Sequence, residues 1–221
     1  MCEQSVASSG NPGCHAIPGP VHTTDDPSPS DHEVLSGRAV TVELTRPVVA
    51  VASNKSGVGA LERAEAAGVA TGVFPIEEYG SREERDGALG LWLSEQGAEV
   101  AVLAGYMHLR TAPFLELFPD RIVNVHPALL PSFPGLDAIG QALEHGVRVT
   151  GVTVHFVDEG TDTGPVIMQR AVEIPANWDR EELENRIHAI EHEIYPEAIG
   201  MIARGEVRIA ADNPRQVIVD Q

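Results

Sequence analysis

The chain is predicted to fold as an α/β domain of three layers around a mostly parallel central sheet. Three observations carry that prediction. Short apolar runs alternate with amphipathic stretches of helical period, the pattern of strands joined by covering helices. Val100–Ala104 is apolar throughout, as a strand buried on both faces must be. Glycine or a capping residue punctuates the helical stretches where each should begin or end.

Taken in order, Pro47–Ala52 (PVVAVA) is a β-branched run that reads as the first strand of the patterned region. Gly57–Ala67 is helical in period and stops at Gly68, a usual C-terminal signal. Ser81–Gln96 is a second helix, with Ser81 as cap and Glu84 three residues later. Val100–Ala104 follows as a strand, Thr111–Phe118 as a short helix and Arg121–Val125 as another buried strand. Asp137–Glu144 reads as a helix leading into Val149–Val157, where Val152, Val154 and Phe156 alternate with Thr153 and His155. Val166–Val172 is placed to pair with that strand, and Asp179–Arg204 is a long amphipathic helix.

Residues 1–37 differ: they hold five prolines, five acids and neither Lys nor Arg. Without sustained periodicity they read as a poorly ordered segment. The chain has 221 residues, enough for one domain with a modest appendage. Its formal net charge of −18 argues against nonspecific nucleic-acid binding. Cys2 and Cys14 are the only cysteines, which leaves neither a disulfide framework nor a zinc-ligand spacing. No apolar run reaches the roughly 18–20 residues of a membrane span, and the start lacks the pattern of a secretory signal. A cytoplasmic location is the default. Lys55 is the single lysine beside fourteen arginines, so an obligate catalytic lysine is not expected.

The chemistry concentrates in Asn124-Val125-His126-Pro127 and in Asp162-Thr163-Gly164-Pro165. Asn124 and His126 share strand parity, so both side chains fall on one face. In open α/β sheets ligands gather at the carboxyl ends of strands, where this pair lies. An amide can hold a developing oxyanion, an imidazole can donate a proton, and a carboxylate can set the imidazole's charge. Read alone, Asn124 is equally a turn-capping residue, His126 a hydrogen-bonded near-core histidine, and Asp162 a turn former.

Taken jointly, several segments resemble the glycinamide ribonucleotide formyltransferases. They are Ala52–Lys55, Leu103–Met107, Asn124–Pro131, Phe133–Gly135, Gly151–Asp158, Asp162–Pro165 and Glu191–Pro196, and the resemblance spans roughly residues 47–208. It implies a formyltransferase-like fold with a Rossmann-like N-terminal half over residues 38–221. The activity it implies is transfer of a formyl group from 10-formyltetrahydrofolate, as co-substrate and without a metal, to the amine of glycinamide ribonucleotide in purine synthesis. Asn124, His126 and Asp162 are then catalytic, with His155 and Thr153 in support. Met107, His108, Leu109, Arg110, Arg82 and Asp158 are expected at the folate, and Glu191, Gly105 and Pro127 at the nucleotide. The partners implied are small molecules, with no nucleic acid or membrane, and the chain as a monomer or homodimer.

The family opens with an apolar strand and a Gly-rich loop that holds the nucleotide phosphate. The nearest equivalent here is Ser8-Ser9-Gly10-Asn11-Pro12-Gly13, in which Pro12 removes an N–H donor. Residues 1–37 are therefore expected to lack a clear phosphate-binding loop. Two other functions remain open: hydrolysis of formyltetrahydrofolate, and a folate-binding remnant with impaired nucleotide binding. His188-Ala189-Ile190-Glu191-His192 also spells an inverted zinc-peptidase pattern. That site needs a third protein ligand, and the matching flanks favour the formyltransferase reading.

Overall fold

The computed structural model describes residues 4–8, 46–105 and 111–220. Seven strands form the central sheet: β1 Gln4–Ser8, β2 Val48–Ser53, β3 Ala70–Val73, β4 Val100–Ala104, β5 Ile122–His126, β6 Val149–Phe156 and β7 Val166–Glu173. Their spatial order is β3-β2-β1-β4-β5-β6-β7. The pairs β2–β3 and β4–β5 are parallel, whereas β1 opposes both its neighbours and β6 opposes β5 and β7. Five strands thus run one way and two run against them.

The helices are α1 Gly59–Ala66, α2 Arg82–Glu95, α3 Ala112–Leu115, α4 Ala138–Glu144 and α5 Arg180–Ala203. Each predicted element is present with ends shifted by a few residues. The Ser81 hydroxyl accepts from Glu84 N–H at 3.1 Å, as the capping pattern predicts. Asp179 and Glu182 form a reciprocal capping box that starts α5. Several elements were not predicted, among them the edge strand β3, which falls between the two helices read at Gly57–Ala67 and Ser81–Gln96. Two others stand out. One is β1, inside the segment expected to be poorly ordered. The other is a hairpin of β8 Val207–Ala210 and β9 Asn213–Val219 after α5.

Alternation along the strands divides the core into two layers. Ala50, Ala52, Ala101, Leu103 and Ile122 pack with Leu89 and Leu93 of α2 and Phe114 of α3. On the other face Val123, Val152, Val154 and Phe156 meet Leu183, Ile187, Ile190, Ile194 and Ala198 of α5. Those α5 residues recur every three or four positions, so one stripe of the helix is buried. Each fully buried aliphatic side chain there contributes roughly 1.5–3 kcal/mol. This burial fixes α5 across the sheet and leaves a second stripe, Arg180, Glu184, His188 and Glu191, facing a cavity at the strand ends.

The sheet's opposite face is polar across β5, β6 and β7. Asn124 pairs with His155, and His126 with Thr153, which in turn pairs with Gln169. Directly paired residues share a face, so these five side chains lie together. Loops cover them: residues 127–137 after β5, and 157–165 between β6 and β7.

Candidate active site

Strand β5 ends at His126, and Pro127 holds the residue before it in extended backbone. The turn that follows folds back over β6. Thr153, fully buried, donates its hydroxyl proton to Ala128 O at 2.6 Å and accepts from Leu130 N–H at 3.1 Å. Gln169 Nε2 donates to Leu130 O at 3.0 Å and to Thr153 Oγ1 at 2.9 Å. Gly151 leaves room for Leu129: a Cβ there would come within 2.6 Å of the Leu129 side chain.

This turn delivers backbone groups to the catalytic candidates. Phe133 O lies 2.8 Å from His126 Nε2, which must therefore donate. Gly135 N–H donates to Asp162 Oδ2 at 2.7 Å. The same carboxylate oxygen stands 3.5 Å from His126 Nδ1. His126 and Asp162 are both buried, and the two ring nitrogens face a carbonyl on one side and a carboxylate on the other. Phe133 and Asp162 each have φ near +54, a left-handed conformation unusual without glycine. Such strain persists only where its surroundings over-determine it, and it gathers at functional sites.

His155 approaches Asp162 from the other side, with Nε2 at 3.9 Å from Oδ1. Its Nδ1–H donates to Phe156 O at 2.8 Å, and Nε2 has no hydrogen-bond partner among the described residues. Burial pushes its pKa below the ordinary value of 6.5, which favours the neutral ring. Asp158 orders the loop that carries Asp162 by accepting from Gly160 N–H at 3.0 Å and Thr163 Oγ1–H at 2.6 Å.

Leu103, Gly105, Asn124, His126, Pro127, His155, Asp158, Asp162 and Glu191 line one cavity of about 810 Å³, within the usual range for small-molecule sites. Burial lifts the Glu191 carboxyl from 4.5 to about 7. One turn along α5, Tyr195 reaches between two strands: its hydroxyl donates to Leu103 O at 2.6 Å and lies 3.0 Å from Val123 O. At the cavity's other end Arg180 holds Asp137 through two nitrogens, at 2.7 and 3.2 Å. That hydrogen bonding keeps the Asp137 carboxyl below its ordinary value.

Eight of the residues singled out from sequence line the cavity: Asn124, His126, Asp162, His155, Asp158, Gly105 and Pro127, with Glu191 from α5. Thr153 lies beneath the turn and outside the cavity lining. Arg82 begins α2 on the exposed surface and is also outside that lining. Met107, His108, Leu109 and Arg110 fall outside the described residues, as do residues 9–13 of the Ser8–Gly13 segment. Among the described residues no group of three His, Cys, Asp or Glu side chains is placed to hold a metal, so His188 and His192 make no zinc site there.

A family model described as formyl transferase matches residues 33–199. The chain belongs to the formyl transferase family. A phosphoribosylglycinamide formyltransferase of Bacillus subtilis is 44% identical over 150 residues, covering 66% of this chain and 77% of that protein. A trifunctional purine biosynthetic protein of Gallus gallus is 44% identical over 162 residues, 73% of this chain. The chain spans only 16% of that larger relative. Among solved structures, glycinamide ribonucleotide transformylase 1 from Symbiobacterium toebii superposes with a TM-score of 0.74 at 46% identity, covering 79% of this chain and 81% of that one.

Within this formyl transferase domain, sequence reasoning missed the groups that hold the catalytic candidates in place. Phe133 O and Gly135 N–H are backbone groups, so no side-chain pattern points to them. Gln169 was within reach, since pairing Val166–Val172 with β6 sets it beside Thr153. Arg215 of the unforeseen hairpin donates to Thr163 O at 2.9 Å, next to Asp162. Among the described residues no helix is long and apolar enough to cross a membrane.

Proposed function

We propose that the chain transfers a formyl group from 10-formyltetrahydrofolate to the primary amine of glycinamide ribonucleotide, the one-carbon step named by its relatives in purine synthesis. The observation that carries this reading is the convergence of Asn124, His126 and Asp162 on one cavity. Membership of the formyl transferase family supports it.

The amine attacks the formyl carbon directly, and the carbonyl oxygen gains the charge. Asn124 donates a side-chain N–H to that oxygen. His126 donates from Nδ1, whose 3.5 Å contact with Asp162 is loose enough to share with an oxyanion. Each donor aimed where charge develops is worth on the order of 10²–10³ in rate. Asp162 stabilises the doubly protonated ring by its charge. Through a bridging water it takes the proton that the amine releases and returns it to the folate nitrogen as the old C–N bond breaks.

At the Glu191 end, the carboxylate accepts from ribose hydroxyls, with Gly105 and Pro127 forming backbone walls. Met107, His108, Leu109 and Arg110 are assigned to the folate by the family resemblance, as is Arg82 to its carboxylate tail, and Asp158 shapes the pterin wall through the loop it orders. Ser8 leaves β1 beside Val48 and Val100, where β2 and β4 begin, and Gly105 and Asn124 stand at the other end of the sheet. The Gly-rich segment therefore starts away from the nucleotide, and weak saturation by the ribonucleotide is expected.

The test incubates the protein with 10-formyltetrahydrofolate, with and without glycinamide ribonucleotide. Amine-dependent release of tetrahydrofolate supports the transferase. Amine-independent release would make it a hydrolase, and binding without release a remnant; either overturns the proposal.

A further inference from the structure

We propose that Gln169 is a positioning residue for the transfer. Its carboxamide, acting through Thr153 and the Ala128–Leu130 turn, fixes where His126 stands. The kinetic part of this proposal rests on the formyl-transfer reading; the structural part does not.

His126, Thr153 and Gln169 form a row across three adjacent strands on one face of the sheet. The hydrogen bonding along that row is saturated. Thr153 Oγ1 has one proton and two lone pairs, and Ala128 O, Leu130 N–H and Gln169 Nε2–H use all three. The second Gln169 Nε2 proton goes to Leu130 O. Backbone groups at both ends of the turn are therefore held by two side chains from the strands beneath. Removing the Gln169 amide strips Leu130 O of its donor and leaves Thr153 with an unused lone pair.

The consequence reaches His126 through the backbone. Ser132 N–H closes the turn onto Leu129 O at 3.0 Å. The next residue, Phe133, presents its carbonyl to His126 Nε2 from a left-handed conformation, φ +54. A non-glycine residue holds that conformation only against an opposing cost, so it needs anchors on both sides. Downstream they are Gly135 N–H on Asp162 and Gln141 Nε2–H on Leu136 O, at 2.7 and 2.9 Å. Upstream the anchor is the Thr153–Gln169 stitch. Releasing it lets Phe133 O withdraw, and the ring loses the acceptor that orients it towards Asp162. Gln169 lies at the surface and outside the cavity lining, so it acts without touching either substrate.

The experiment compares Gln169→Leu and Gln169→Glu with the unaltered chain. In Gln169→Leu the Leu130 amide should exchange with deuterium about ten times faster, and the His126 ring resonance should shift in NMR spectra. kcat should fall about tenfold, while KM for both substrates stays within about threefold. Gln169→Glu sets a carboxylate against Leu130 O, so its kcat relative to the unaltered chain should recover as pH falls and the carboxyl regains a proton to donate. A lost packing contact alone would not produce that pH signature. Should Gln169→Leu not fold, Gln169→Met carries the same measurements. An unshifted His126 resonance with unchanged Leu130 exchange would overturn the proposal, as would unchanged kcat in a folded variant. If the unaltered chain shows no amine-dependent transfer, the activity reading fails on its own, and exchange and NMR still decide the role of Gln169.

Discussion

Replacing Glu191 by Gln tests whether a carboxyl group is stored half-buried where α5 lines the cavity. Burial raises its pKa from 4.5 to about 7, so the folded chain keeps a proton that the unfolded chain gives up near 4.5. Between those values the native state binds more protons than the unfolded state, and stability falls as pH rises. The stability is complete below about 4.5 and lost as pH climbs through about 7. At about 1.4 kcal/mol per pH unit the loss is roughly 3.5 kcal/mol, nearer 2.5 with the remaining exposure allowed for. Glutamine resembles the protonated acid and escapes this loss. The two proteins should melt together near pH 5, and Glu191→Gln should melt roughly 5–10 °C higher at pH 8, given about 2–4 °C per kcal/mol for a chain of this length. Calorimetric scans from pH 5 to 8.5 measure the gap, and parallel curves would refute the reasoning. The variant should also lose the charge that receives ribose hydroxyls, raising KM for the ribonucleotide about tenfold with kcat little changed.

Asp162→Asn should lower kcat at least a hundredfold while circular dichroism and folate binding stay near normal, since the amide neither charges His126 nor carries a proton; a near-normal rate removes Asp162 from the mechanism. Gly164→Ala should destabilise the chain by roughly 3 kcal/mol or more, because the added Cβ would sit 1.8 Å from Phe156 O; an unchanged melting temperature would contradict that packing. Leu183→Ala should cost about 2–5 kcal/mol, as this α5 side chain is fully buried against the sheet, with little change in KM for the fraction that remains folded.

The legible parts of the sequence were those in which one residue type answers to one local force. Val100–Ala104 had to be a central strand because a wholly apolar segment has no face to turn to water. Ser81 and Glu84 announced the start of α2 because capping is settled within four residues. Asn124 and His126 were placed on one face by strand parity alone. Strand β1 escaped notice because Gln4–Ser8 carries little hydrophobic pattern; its two neighbours supply the hydrogen bonds that make it a strand. The β8–β9 hairpin did carry a pattern, with Val207 and Ile209 flanking Arg208 and a β-branched run at Val217–Val219, but its strands are short and order comes from their pairing.

In the site, the opposite limit applied: chemistry was visible and support was not. Three side chains marked the candidate site, yet their geometry depends on backbone atoms of residues 128–135, which any sequence possesses. Phe133 in a left-handed conformation shows where the difference arises. No propensity places phenylalanine there, so the energy that does must come from the bonds around it. Those bonds trace to Thr153 and Gln169 on two further strands. In the role proposed for Gln169, the His126 imidazole on β5 is aimed by side chains of β6 and β7, and that relation exists only once register is fixed. Register here is set by the apolar alternation of Val152, Val154 and Phe156 against α5. A slip of one residue would turn Thr153 into the core and leave the turn unanchored. The hydrophobic pattern on one face of the sheet therefore decides, at one remove, where the His126 ring stands on the other.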